Sequence, residues 1–363
     1  MRTGCAALAA LLLGVLTACG YGSQRPETTA PEQAVATGEA LSAPEVTVGY
    51  FANLTHGTAL VGLGAEGPIR EELGGTRLGT QVFNAGPSAI EALNAGAVDM
   101  TFIGPNPAIN GFAQSGGRNL RIVSGAASGG ASLVVNPDTV NGLDDLTGKR
   151  IATPQLGNTQ DVALLSYLEE RGLEVDPRDG TGEVSVLRIQ NSEIPPAFEN
   201  GSIDGAWVPE PTASKLLTRG AVTLLDEGEL WAEGRYVVTH LVVAQDFLEK
   251  HPDVVEAVVR GVVRTNGWIA ENPGEAKSLV NDVLEELTGQ RLPPEVLDPA
   301  FDNVEFLDDP LADTLRVGAE HAVEVGLLEE TDLSGIYDLS ILNAVLDGEG
   351  LPPITDDAGL GVD

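Results

Sequence analysis

From Val46 onward, short apolar runs alternate with segments whose apolar residues recur at helical spacing, and this alternation restricts the chain to an α/β architecture. The pattern predicts strands over residues 46–50, 81–84, 99–103, 120–124, 132–135, 150–153, 184–189, 203–207, 222–225 and 236–243. Helices are expected over 57–63 and 87–94, and beyond Phe247 the pattern is mainly helical, with Pro252 and Pro273 placed where helices begin. The short runs and glycine turns suit open sheets flanked by helices. At 363 residues the chain exceeds the roughly 100 to 200 residues of one ordinary domain, so two lobes with separate cores are expected.

An internal echo says how the lobes relate. Residues 87–107 read PSAIEALNAGAVDMTFIGPNP, and residues 192–211 read SEIPPAFENGSIDGAWVPEP. In each, an apolar helix ends in glycine (Gly96, Gly201) and leads to a hydrophobic-Asp pair (Val98-Asp99, Ile203-Asp204). A short strand carrying an aromatic (Phe102, Trp207) then opens into Pro-x-Pro, with Asn106 or Glu210 between the prolines. The repeat implies two similar lobes projecting equivalent residues from strand ends, where open α/β sheets bind ligands. The plainer alternative is a recurrent strand-to-helix turn, since proline favours the first helical position.

Charge narrows the partners. With 20 Lys+Arg against 54 Asp+Glu the formal charge is -34, spread along the chain, which opposes nucleic-acid binding. A small anion is still admitted, because salt screens distant charges over about 8 Å and a local cluster of N–H groups outweighs them.

The first residues read as an export signal: Arg2, an apolar run over residues 6–16, then Thr17-Ala18-Cys19. The run is shorter than the roughly 20 residues of a spanning helix. Leu16-Thr17-Ala18-Cys19 resembles a bacterial lipobox, with cleavage before Cys19 and lipidation of its sulfur; an ordinary signal peptide is the alternative. Cys5, the other cysteine, would leave with the signal, so no disulfide is expected in the mature chain. The expected organisation is a signal peptide over 1–18, a lipidated tether over 19–43 and a first part of lobe one over 44–130. Lobe two follows over 131–234, then a return to lobe one with C-terminal helices over 235–363. Lobe crossings are expected near residues 129–132 and 233–236.

Candidate binding residues cluster at strand-to-helix junctions. In Leu156-Gly157-Asn158-Thr159-Gln160-Asp161, Asn158 or Thr159 suits a helix N-cap and Asp161 suits the positive helix end. The same geometry makes an oxyanion receptor from free N–H groups, the Asn158 amide and the Thr159 hydroxyl, with no cation required. Asn53-Leu54-Thr55-His56-Gly57 repeats the arrangement after the first strand, with His56 either a donor or a cap. The small-residue stretch 124–130, including Ser128, is read as a loop that brings amides near a ligand or connects the lobes. Trp207 either packs over an alkyl chain or fills the core. Glu210 would repel an adjacent anion, and instead receives an ammonium group, bonds an amide, or lies at the lobe closure.

Other motifs fail. Gly62-Leu63-Gly64-Ala65-Glu66-Gly67 has dinucleotide-fingerprint spacing, but it ends a helical pattern where a true fingerprint would follow a strand. The acidic stretch 176–183 lacks calcium-loop spacing, and no Walker sequence, zinc-type spacing or nucleophile elbow appears. His56, His240, His251 and His321 are scattered, so no catalytic constellation, metal or cofactor is expected.

The stretches VGYFANLTHGTALVGL, FNAGPSAIEALNAGAVDMTFIGPNPAINGF, GKRIATPQLGNTQDVALLSYLEERGL and IDGAWVPEPTASKLL together resemble the solute-binding lipoproteins of bacterial ABC importers for aliphatic sulfonates, nitrate and taurine. The resemblance extends over most of residues 45–347. It implies a two-lobed periplasmic-binding-protein type II fold that clamps a small anionic or zwitterionic solute and delivers it to a permease driven by an ATPase. It further implies a monomer outside the cytoplasm, held at the membrane by its lipid. Carried over by residue, the resemblance assigns ligand contacts to Asn53, Thr55, His56, Asn106, Gly157, Asn158, Thr159, Trp207 and Glu210. Nitrate, bicarbonate or a pyrimidine precursor is the rival solute, and an enzyme or a surface sensor on the same fold is the rival function.

Overall fold

The computed structural model describes residues 41–356 and 358–362; the signal segment, Cys19 and the tether up to residue 40 lie outside the described residues. Along the chain run β1 (Glu45–Phe51), α1 (Gly57–Gly62), α2 (Pro68–Glu72), β2 (Arg77–Phe83), α3 (Gly86–Asn94), β3 (Met100–Ile103), α4 (Pro105–Gln114) and β4 (Leu120–Gly129). Then come β5 (Ala131–Val135), β6 (Arg150–Thr153), α5 (Thr159–Glu169), β7 (Ser185–Arg188), α6 (Ile194–Glu199), β8 (Gly205–Pro209), α7 (Thr212–Leu217) and β9 (Val222–Asp226). The chain closes with β10 (Val237–Ala244), α8 (Gln245–Lys250), α9 (Pro252–Glu271), α10 (Pro273–Thr288), α11 (Pro294–Asp302), β11 (Val304–Phe306), α12 (Ala312–Glu324) and α13 (Ser340–Gly348). Pro252 and Pro273 do open helices, where a missing N–H costs nothing.

Two sheets result, with orders β11-β4-β10-β3-β1-β2 and β7-β6-β8-β5-β9. The chain passes from the first sheet to the second between Gly129 and Ala131, and returns between Asp226 and Val237. The inner strands of the second sheet, β6, β8 and β5, are buried on both faces. Leu133, Ile151 and Trp207 face α5 in one apolar cluster, while Val134, Ala152, Ala206 and Val208 face α6 and α7 in another. Helix α12 packs against both α4 and α5, so the C-terminal region touches the helices of both sheets.

The sequence echo has a physical basis in the ladders. Both sheets contain the same core, a parallel trio (β2-β1-β3 and β7-β6-β8) followed by an antiparallel strand. Asp99 and Asp204 occupy equivalent positions: Thr47 N–H donates to the Asp99 carboxylate at 2.8 Å, and Arg150 N–H to that of Asp204 at 2.9 Å. Each carboxylate takes an N–H that the slanted parallel ladder leaves open at its entrance. The repeat diverges at Pro-x-Pro. Pro105 starts α4, whereas Pro209 ends β8.

The expectation of a loop over 124–130 is corrected: β4 continues to Gly129, its backbone paired with β10 and β11 through ladder irregularities. The strand's backbone pairs in the sheet, and Gly125 N–H donates to Asp308 O at 2.7 Å. Trp207 also resolves toward packing, for it is fully buried, its Nε1–H donates to Glu227 Oε2 at 2.7 Å, and its ring meets Tyr167 edge-on at 5.4 Å.

Burial pushes the Glu227 carboxyl up from 4.5 to about 7, with the Trp207 hydrogen bond opposing the shift. Because the folded value is the higher one, the stabilisation from this group is complete below pH 4.5 and is lost as the pH rises through about 7. Urea unfolding of the native chain and of Glu227→Gln over that range should show the native chain losing about 3 kcal/mol relative to the variant. A stability difference that stays flat with pH would refute this account.

Candidate functional site

Beyond the carboxyl ends of β1 and β6 the two lobes carry equivalent capping devices. The Asn53 side-chain oxygen accepts from Thr55 N–H and from the Thr55 hydroxyl, each at 3.2 Å, and caps the helical turn Leu54–His56. The Asn158 side-chain oxygen accepts from Thr159 N–H at 2.9 Å at the start of α5. Capping settles which way each amide points, because the oxygen must face the backbone N–H. The NH2 groups of Asn53 and Asn158 remain as donors.

Both devices wall one narrow cleft whose free volume is about 20 Å³, room for about one water molecule and well below the range of open ligand sites. Phe51, Asn53, Thr55, His56, Asn84 and Gly104 line it from the first-sheet side, and Asn158, Thr159, Gln160, Asn191 and Pro209 from the second, with Val238 of β10 at the junction. No lining residue is Asp, Glu, Lys or Arg. The lobes approach closely here. A Cβ on Gly104 would lie 2.6 Å from the Thr159 hydroxyl, so a side chain at this position would displace that hydroxyl.

His56 is buried against Phe51, ring centroids 4.3 Å apart, and its Nδ1 accepts from Phe51 N–H at 3.4 Å. That bond places the proton on Nε2, making the ring a donor in its neutral form. Burial drives its pKa down from 6.5 to about 3. Two cavity-lining oxygens, Thr159 Oγ1 and Asn191 Oδ1, are buried without any hydrogen-bond partner among the described residues. Buried polar atoms are rarely left so. The N–H of Gln160, at the second position of α5, also has no acceptor among the described residues.

Asp161, three positions into the helix, has a different task. It is fully buried and accepts from Thr153 Oγ1 at 2.7 Å, Gly157 N–H at 3.0 Å and Arg188 Nε at 2.9 Å. The Thr153 hydrogen bond and the Arg188 ion pair lock the loop that presents Asn158 to the carboxyl ends of β6 and β7. Asp161 therefore does more than face the helix dipole.

The structure brings Asn53, Thr55, His56, Asn158 and Thr159 together and places the other expected contacts elsewhere. Asn106 is buried, with its Nδ2 donating to Gly318 O of α12 at 3.0 Å. Ser128 Oγ accepts from Tyr236 N–H at 3.1 Å where the chain re-enters the first sheet. Gly157 turns the chain at φ +71° and lines a separate surface groove with Asn110 and Arg178. Trp207 lies in the core under α5. The Glu210 carboxylate is occupied by Ser214 N–H at 3.0 Å, Ser214 Oγ at 2.9 Å and Asn303 Nδ2 at 2.9 Å, which binds the crossing to β11. The sequence reading missed Asn84, Gln160 and Asn191. Asn84 and Asn191 stand just upstream of the two echoed segments, so extending the repeat by a few residues would have found them.

A second buried imidazole, His240 on β10, has no partner on either nitrogen, and burial lowers its pKa to about 3 as well. Depressed histidines contribute stability that is present above 6.5 and lost as the pH falls toward 3, since only the unfolded chain takes up the protons. In histidine-detected NMR, the ring resonances of His56 and His240 should keep neutral-form shifts between about pH 5 and 8. Titration of either ring in that window would contradict the assigned burial.

Residues 39–283 match the NMT1-like family. The taurine-binding periplasmic protein of Escherichia coli is 30% identical over 209 residues, 58% of this chain and 62% of that protein, so the match spans less than two thirds of the relative's length. The alkanesulfonate-binding protein SsuA from Xanthomonas axonopodis pv. citri, solved bound to MOPS, shares the fold at TM-score 0.65 and 21% identity, covering 80% of this chain and 96% of that one. The periplasmic nitrate-binding protein NrtA from Synechocystis does so at TM-score 0.73 and 13% identity, covering 86% and 91%. The two-sheet α/β architecture is thus that of periplasmic solute-binding proteins. Because the family match runs through both sheets and every loop that walls the cavity, the chain belongs to the NMT1-like family.

Proposed function

We propose that this chain is the extracytoplasmic solute-binding component of an ABC importer, and that it holds a small oxyanion such as an aliphatic sulfonate in the cavity between its sheets. The lobes close over residues 44–130 with 235–363 on one side and 131–234 on the other. A permease with its ATPase receives the solute, and lipidated Cys19 keeps the monomer at the membrane. The observation that carries this reading is the convergence of uncharged donors from both lobes on a cavity whose own buried oxygens, Thr159 Oγ1 and Asn191 Oδ1, lack partners.

The energetics are consistent with reversible capture. A hydrogen bond to a charged group contributes about 1.5 to 3 kcal/mol net, and micromolar binding needs roughly 8 kcal/mol. Asn53 Nδ2, His56 Nε2, Asn158 Nδ2 and Gln160 N–H together reach that range. Closure excludes water, which strengthens each bond. Holding and releasing charge is the role assigned, without turnover. Nitrate is the second reading, favoured by the small volume of the cavity.

Asn158→Asp separates binding from capping, because the carboxylate still accepts from Thr159 N–H but no longer donates. Titration calorimetry with ethanesulfonate and nitrate should show affinity reduced more than tenfold, with the melting temperature of the unliganded protein nearly unchanged. Undiminished affinity for whichever ligand binds would remove Asn158 from the site.

A further inference from the structure

We infer that the cavity admits a small anion whose far end is a hydroxyl or an apolar group and discriminates against one that carries an ammonium group, with Asn191 setting the preference. This rests on the oxyanion-binding reading above and asks which tail the anion carries.

A zwitterionic ligand brings a second charge that needs its own counter-charge, since an ammonium group taken from water into a closed site is heavily penalised unless paired. Nothing lining the cavity is a carboxylate. The two acids nearest to lining residues in the chain are already consumed. Glu210, beside Pro209, accepts from Ser214 N–H, Ser214 Oγ and Asn303 Nδ2, and Asp161, beside Gln160, accepts from Thr153, Gly157 and Arg188. Of the roles open to Glu210, ammonium binding is therefore set aside.

What the cavity offers instead is a neutral acceptor whose needs the protein leaves unmet. Asn191 Oδ1 is buried, unpartnered and part of the same wall as the unpartnered Thr159 hydroxyl. A ligand hydroxyl matches this pair, donating one hydrogen to Asn191 and accepting one from Thr159. An ammonium group would find at this pair only neutral oxygens to accept its hydrogens, with no counter-charge for its own charge. The start of α5 adds positive potential at the same wall, which opposes a cation further.

The test uses ligands that share a two-carbon sulfonate frame and differ in the terminal group. Calorimetry on the full chain compares 2-hydroxyethanesulfonate, ethanesulfonate and 2-aminoethanesulfonate, with nitrate as a tail-free control. The amino compound is expected to bind at least tenfold more weakly than the hydroxy compound. In Asn191→Asp, with folding checked by circular dichroism, the amino compound should gain at least tenfold relative to the hydroxy compound. Equal or tighter binding of the amino compound by the native chain overturns the inference and leaves the oxyanion reading standing, and so does binding of nitrate alone. An unchanged ligand order in a folded Asn191→Asp variant removes Asn191 from the role. Binding of none of the four sinks the oxyanion reading and the inference with it.

Discussion

The opening N–H groups of a helical turn have no partner within that turn, and the way Asn53 and Asn158 satisfy them organises the candidate site. Each side-chain oxygen is drawn to a backbone N–H, so each NH2 is turned outward without any dedicated support. Because β1 and β6 hold equivalent places in their sheets, the two donors arrive from opposite walls of one cavity. The remaining groups follow from the same junctions: His56 closes the first turn, while Thr159 and Gln160 open α5. A local rule of helix ends, applied twice, brings uncharged donors from both lobes to one cavity.

The acidity of the chain is managed by position. A formal charge of -34 sits around a cavity with no ionisable carboxylate in its wall, and the acids that do enter the interior are spent on construction. Asp99 and Asp204 complete the parallel ladders, Asp161 pairs with Arg188, Glu210 binds the lobe crossing to Asn303, and Glu227 takes the indole of Trp207. Leaving any of these groups unpaired would cost more than the bond itself contributes. A neutral cavity wall is consequently compatible with a strongly anionic surface, over which salt screens within about a nanometre.

Much of this was legible along the chain, for reasons particular to certain residues. Apolar spacing marked the strands, and proline marked the starts of α9 and α10 because its fixed φ and absent N–H suit only that place. The echo around Asp99 and Asp204 exposed the duplicated sheet core, since a ladder entrance imposes the same demand twice. Asn53, Thr55, His56, Asn158 and Thr159 were visible because capping and donation need the same side chains. The reading erred where small residues looked like a loop: the stretch after Ser124 is strand, its glycines and alanines allowing β11 and the segment after Phe306 to lie close against it. Asn84, Gln160 and Asn191 went unnoticed, because capping and strand spacing do not single out a polar residue that only packing turns toward a cavity.

The sequence by itself determined the α/β alternation, the duplicated lobe and the capped helix starts, all of which depend on neighbours within a few residues. Only the tertiary structure decided which polar groups remain free. Trp207 and Glu210 carry the look of ligand contacts in the chain, yet packing delivers Glu227 to one and Ser214 with Asn303 to the other. Asn191, inconspicuous in the chain, is left with an unfilled acceptor beside Thr159. A hydrogen-bonding group becomes a binding group when the fold gives it no other partner, and that residual is a property of the whole packing arrangement, beyond the reach of any local pattern.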